Sequence, residues 1–215
     1  GAVAQRLLTL ERARIAARGA EATLAGSLKL DDTLEFKTDG ALQKFDPSAF
    51  ARVPAASLSA TFAASGRIGP QPDVRAAVDF GPSTLMGERL SGVLKGRLQG
   101  SRLSDADIAL DWAGNSLSAH GAFGGTAADA LDWAVDAQHP GALRALTGLA
   151  LSGRISGSGR LAGTLATPHG TLQLSLRALS LGERGSIARA DLEAGLAPGK
   201  DGQLHLSLDA ADLRS

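Results

Sequence analysis

The chain has 215 residues, with 22 Lys and Arg balanced by 22 Asp and Glu, so it lacks the basic surface that nucleic-acid binding requires. It has no cysteine, which excludes disulfides, thiolate metal sites, iron–sulfur clusters and thiol nucleophiles. Aromatic residues make up only 4% with no Tyr, too few for the aromatic girdles of a membrane barrel, and no apolar run approaches the about 20 residues of a membrane-spanning helix.

An apolar partner remains open, because apolar contact needs no charge. The absence of cysteine is compatible with either a reducing or an oxidising compartment. No secretory signal is visible, and the chain begins at Gly1 without Met and stops at Ser215. It reads as a piece of a longer protein.

In chain order, the first 18 residues carry conflicting signals. Their Ala, Leu, Arg and Glu favour helix, whereas Leu8 and Leu10 favour a strand from about residue 7. Period-2 alternation then dominates. Apolar residues recur at Leu24-Gly26-Leu28-Leu30, Leu58-Ala60-Phe62, Val74-Ala76-Val78-Phe80, Leu90-Gly92-Leu94-Gly96-Leu98, Ile108-Leu110-Trp112, Leu117-Ala119-Gly121-Phe123 and Leu131-Trp133-Val135. The longest stretch runs from Leu151 to Leu165, with Ile155 and Leu161 facing away from Arg154, Ser156 and Arg160. Leu172-Leu174-Leu176 and Leu204-Leu206-Leu208 complete the series. Successive strand side chains point to opposite faces, so each segment has one apolar face. Turns are expected at Gly69-Pro70-Gln71-Pro72, Gly81-Pro82-Ser83, Gly124-Gly125, Pro168-His169-Gly170 and Pro198-Gly199-Lys200, and between strands at Asp31-Asp32. Two short helices of about two turns are expected near residues 46–52 and 139–146, where Asp46-Pro47 and His139-Pro140 place Pro at the first helical position.

The chain repeats itself. Shifted by 93 residues, Asp39–Ile68 lies on Asp132–Leu161 with nine of thirty positions identical, including Pro47 on Pro140 and Ser65-Gly66-Arg67 on Ser158-Gly159-Arg160. Gly87-Glu88-Arg89 recurs as Gly182-Glu183-Arg184. The expected organisation is two repeats of about 95 residues, 39–131 and an incomplete 132–215, after part of a preceding repeat at 1–38. Stacked repeats of this kind give an elongated protein.

An apolar face on every strand must be covered. A closed β-sandwich does this with a second sheet; a single curled sheet does it with an apolar ligand in its concave groove. The interior is rich in Leu, Ala and Gly and poor in large rings, which tilts the expectation toward the groove. Its lining would comprise Leu24, Leu28, Leu58, Phe62, Val78, Leu94, Leu110, Leu117, Leu151, Ile155, Leu161, Leu165, Leu172, Leu174, Leu176, Leu204, Leu206 and Leu208. Trp112 and Trp133 also fall on apolar faces.

No catalytic or cofactor-binding constellation is found. His120, His139, His169 and His205 lack partners at metal-ligand spacing. The glycines from Gly153 to Gly163 miss a dinucleotide fingerprint by one residue and lie in a strand pattern. Gly195–Asp201 ends in Asp where a phosphate loop needs Ser or Thr. The chain is expected to be no enzyme and to need no cofactor.

Leu149-Ala150-Leu151-Ser152-Gly153-Arg154-Ile155-Ser156-Gly157-Ser158-Gly159-Arg160-Leu161-Ala162-Gly163-Thr164-Leu165-Ala166-Thr167-Pro168 resembles the glycine-and-leucine stretch L-x-G-x-x-x-G-x-G-x-L-x-G-T-x-x-x-P of the TamB family, within the wider AsmA-like group. Leu172-Gln173-Leu174 and Leu179-Ser180-Leu181-Gly182 resemble its continuation, whereas Leu58–Pro72 departs from it, with Gly69-Pro70 in place of Gly-Thr. The resemblance implies an elongated, curled "β-taco" sheet with an apolar groove, in a periplasmic segment of a protein anchored in the bacterial inner membrane. It implies phospholipid transport between inner and outer membranes, with phospholipid or another acyl-chain ligand as partner. The alternative it implies is a chaperone-like factor for outer-membrane β-barrel proteins and autotransporters, acting with a BamA-family partner bound elsewhere in the protein. No catalytic residue is carried over.

Overall fold

The computed structural model describes residues 6–17, 20–30, 33–49, 53–144, 148–180, 182, 185–197 and 203–213. Asp31-Asp32, Glu183-Arg184 and Pro198-Gly199-Lys200 lie outside the described residues. The chain divides into two compact units, Gly1–Asp107 and Ile108–Ser215.

The first unit holds β1 (Arg6–Ala17), β2 (Ala20–Leu30), β3 (Leu34–Phe45), β4 (Ala56–Ile68), β5 (Asp73–Leu85), β6 (Glu88–Gln99) and the start of β7 (Arg102–Trp112). From β1 to β6 each strand pairs antiparallel with the next. The second holds the end of β7, then β8 (Asn115–Phe123), β9 (Ala130–Ala137), β10 (Ser152–Gly163), β11 (Pro168–Ser180), β12 (Gly185–Leu196) and β13 (Gln203–Leu213). From β8 to β13 the same antiparallel succession holds. The expected all-β class is what the described residues show. β1 resolves the conflict at the start of the chain in favour of strand, because Leu8 and Leu10 pair with Leu28 and Gly26 across β2.

Two of the two-residue hairpins have a local cause. Met86-Gly87 between β5 and β6, and Ala113-Gly114 between β7 and β8, each place two consecutive residues at positive φ. That is the backbone of a two-residue turn whose twist matches that of the strands it joins.

Other expectations are corrected. Gly81-Pro82-Ser83 is not a turn but lies inside β5, where the register slips between Phe80 and Ser83. Pro82 has no N–H, and the Ser83 hydroxyl substitutes for the interrupted ladder, accepting from Ser59 N at 2.9 Å and donating to Ser59 O at 3.0 Å. Pro168-His169-Gly170 likewise opens β11. The turn falls at Thr164–Thr167, where the Thr164 and Thr167 hydroxyls are 2.9 Å apart and Thr164 Oγ1 accepts from Thr167 N at 3.1 Å.

The described parts of the two helices include 3-10 turns at Pro47–Ala49 and Pro140–Leu143. Residues 50–52 and 145–146 of the expected helices lie outside the described residues. Asp46 Oδ1 accepts from Ser48 N at 2.9 Å at the first turn. At the second, Asn115 holds the His139 backbone, accepting from its N at 2.9 Å and donating to its O at 3.1 Å. The succession strand, 3-10 turn, four strands occurs as β3 to β7 and again as β9 to β13.

Little of the chain is buried. Among the described residues the buried apolar side chains are Ala60, Leu90, Ala106, Ala137, Ala162, Leu179 and Ala190, together with Pro140. In the second unit Ala137 ends β9 and Leu179 is the penultimate residue of β11, and the Pro140 turn packs against β10.

Candidate functional site

Cross-strand register decides which side chains share a face, because directly opposed residues point the same way. In the first unit one row runs Leu24–Gly40–Phe62–Val78–Leu94 across β2 to β6. A second, Leu8–Leu28–Phe36–Gly66–Val74–Leu98, crosses β1 to β6. Leu58 joins this face opposite Phe45, beyond a bulge in β3.

In the second unit four rows lie side by side. Leu117–Val135–Gly157–Leu174–Leu192–Leu206 runs from β8 to β13. Ala137–Ile155–Leu176–Ala190–Leu208 flanks it on one side. Trp133–Gly159–Leu172–Ala194–Leu204 flanks it on the other, followed by Leu131–Leu161–Gly170–Leu196.

Most of the expected lining residues are therefore brought into shared rows within their own unit. Leu110 lies on β7, half-buried. Leu151 and Leu165 do not join the rows. Leu151 precedes β10 and Leu165 follows it, and the register slips between Ser152 and Arg154 at Gly153.

The apolar faces are not sealed. Leu8, Leu10, Ile15, Leu24, Leu94 and Leu98 are exposed in the first unit, and Leu117, Leu196 and Leu206 in the second, Leu206 by 59%. A dry two-sheet core would bury such residues almost completely. A hollow of about 490 Å³ in the second unit is walled by Trp133, Leu161, Leu172, Ala194 and Leu196. A hollow of about 400 Å³ in the first lies against Leu8, Leu10, Leu24, Leu28 and Phe36.

The glycines on this face do not form a bare strip. The Phe62 ring lies over Gly40, where an added Cβ would meet Phe62 Cζ at 2.6 Å. Leu174 Cδ1 and Val135 Cγ1 stand 3.1 and 3.4 Å from such a Cβ on Gly157. Large side chains of neighbouring strands thus use the glycines as seats.

The opposite face is polar. A hollow of about 660 Å³ in the first unit belongs to it: Ala25, Ala63 and Ala77 share a register row with Asp39 and Lys95. Its mixed walls make it a poorer apolar site than the two smaller hollows. Asp73 takes the Arg97 guanidinium in a fork, at 2.7 Å on each oxygen. That hydrogen bonding, with the charges of Arg97, Arg67 and Arg75, holds the Asp73 carboxyl below its ordinary range against a smaller cost of burial. Asp191 accepts from Ser175 Oγ at 2.7 Å and Arg189 Nε at 2.7 Å, and pairs with Arg177 at 3.0 Å. Its pKa is pulled down to about 2, chiefly by the Ser175 and Arg189 hydrogen bonds.

Sequence spacing missed the contacts that hairpin register creates. His120 stands opposite Asp132, and His205 opposite Glu193. No group of three or more His, Asp or Glu among the described residues is placed to hold a metal. No helix among them is long and apolar enough to cross a membrane.

No curated protein and no solved structure gives a significant match to the chain. The family model of the TamB N-terminal domain matches residues 2–215. The resemblance carried by the Leu149–Pro168 stretch is thereby borne out over nearly the whole length, and the chain belongs to the TamB family.

Proposed function

We propose that the apolar face binds the acyl chains of phospholipid, and that the chain serves as a periplasmic segment of an inner-membrane-anchored protein that moves phospholipid between the two bacterial membranes. One observation carries this reading. Within each unit, register gathers leucines from successive strands into adjoining rows, and many of them stay exposed. Such a surface matches a hydrocarbon chain: each CH2 it removes from water contributes about 0.8 kcal/mol without a specific polar contact. The polar reverse face keeps the other side of the sheet compatible with water.

Mass spectrometry of gently purified protein tests the proposal. Co-purifying phospholipid is expected, and Leu161→Glu or Leu174→Arg should remove it while the circular dichroism of the sheet persists. Repeated isolation of folded, lipid-free protein would overturn the reading. So would photocrosslinkers at Leu174 and Leu161 that capture polypeptide and not lipid.

A further inference from the structure

We propose that the polar face of the second unit holds a phosphate-bearing anion on a row of three arginines, Arg154, Arg177 and Arg189. The row follows from hairpin register. Arg154 on β10 stands opposite Arg177 on β11, which stands opposite Arg189 on β12. Directly opposed residues on neighbouring strands share a face, and like charges so placed repel one another unless an anion intervenes.

The protein supplies part of that anion. Asp191 accepts both Arg177 and Arg189, at 3.0 and 2.7 Å. Asp209 continues the row on β13 by backbone register. At the other end Arg154 is exposed and makes no ion pair among the described residues. Asp191 thus engages Arg177 and Arg189, while Arg154 has no carboxylate partner among the described residues.

The first unit makes a revealing contrast. There Arg75 stands opposite Arg97, and both are ion-paired: Arg75 with Asp105 at 3.3 Å, and Arg97 at 2.7 Å with Asp73, which Arg67 also approaches at 3.9 Å. Each of those arginines has a carboxylate partner, whereas Arg154 has none among the described residues.

A guanidinium presents a planar fork of N–H donors that matches phosphate oxygens. Arg154, with Arg177 beside it, offers two such forks on adjacent strands, about 5 Å apart at the backbone. The ligand is therefore a phosphate group, free in solution or on the headgroup of an anionic phospholipid. The inference stands on the polar face and does not depend on acyl-chain binding to the apolar one.

The test is a titration of the 215-residue chain with inorganic phosphate, followed by the NMR signals of the arginine Nε–H groups. In parallel, the chain is co-sedimented with phosphatidylcholine vesicles lacking or containing phosphatidylglycerol. Saturable shifts at the three arginines are expected, weakened about tenfold by Arg154→Gln and less by Arg154→Lys, which keeps the charge but loses the fork. Asp191→Asn should strengthen binding, because it removes the carboxylate that competes for Arg177 and Arg189; a merely structural role for these residues would not produce a gain. Sedimentation that requires phosphatidylglycerol and falls in Arg154→Gln assigns the headgroup as source; phosphate shifts without it assign the free anion. Absence of saturable shifts together with no preference for phosphatidylglycerol overturns the proposal, as does binding untouched by Arg154→Gln in protein of unchanged backbone spectrum.

Discussion

The indole of Trp133 on β9 lies over Gly159 on β10, so close that a Cβ built on Gly159 would stand 2.9 Å from both Trp133 Cζ2 and Nε1. The two residues are directly opposed in register, on the row that continues through Leu172. Gly159→Val should therefore unseat the ring, press on the Thr171 backbone oxygen and cost at least about 1–3 kcal/mol of stability, as overpacking typically does. A lowered urea midpoint with a red-shifted Trp emission would show it. A Trp133→Leu background should relieve part of the loss.

Ser83 is a small side chain with a large structural task. It is only 3% exposed and is bonded to both backbone groups of Ser59. Ser83→Ala leaves those groups short of a partner inside the sheet, and should cost about 1–2 kcal/mol. Chemical denaturation measures it, with faster amide exchange expected at Ser59.

Leu196 and Leu179 separate binding from folding. Leu196 is 43% exposed on the apolar face, whereas Leu179 is 5% exposed. Leu196→Glu should change stability by no more than about 0.5 kcal/mol, yet diminish the lipid that co-purifies. Leu179→Ala should cost about 2–3 kcal/mol and lose lipid only as the fold is lost. Melting curves read beside lipid content by mass spectrometry distinguish the two.

Acid should weaken the second unit through Asp191. Its folded-state pKa of about 2 lies below the ordinary carboxylate value of 3.8. A depressed pKa means that its contribution is complete above about pH 4 and is lost as pH falls toward 2. Asp73 moves in the same direction. Thermal melts between these pH values should drop more steeply for the natural chain than for Asp191→Asn, whose side chain has no proton to take up.

The strands were legible because alternation is a local signal. Leu172-Gln173-Leu174-Ser175-Leu176 needs no partner to declare a two-faced strand, and such segments recur along the chain. The bulge at Gly81-Pro82-Ser83 was misread because Pro and Gly signal a turn locally, while the Ser83 hydroxyl that keeps the strand together acts on Ser59, 24 residues away. Pro168 signals a turn locally for the same reason, yet it opens β11 because Thr164–Thr167 already closes the hairpin. The alternation in sequence runs on through Leu151 and Leu165, past both ends of β10, because period-2 spacing carries no mark of where strand pairing stops. The arginine row is a property of register alone. Centring the β10–β11 hairpin on Thr164–Thr167 brings Arg154 opposite Arg177, but nothing in the local sequence marks either residue.

The central claim is that acyl chains lie against the apolar face. In a Trp112→Phe background, which leaves Trp133 as the single indole of the chain, fluorescence should be quenched by phospholipids brominated along their acyl chains, more strongly than by bromide in solution. Trp133 walls the hollow formed with Leu161, Leu172 and Leu196, so a lipid tail there comes into contact with its ring. Saturable quenching that Leu161→Glu abolishes is the predicted result. Folded protein whose Trp133 emission is indifferent to brominated lipid at every concentration would contradict the account.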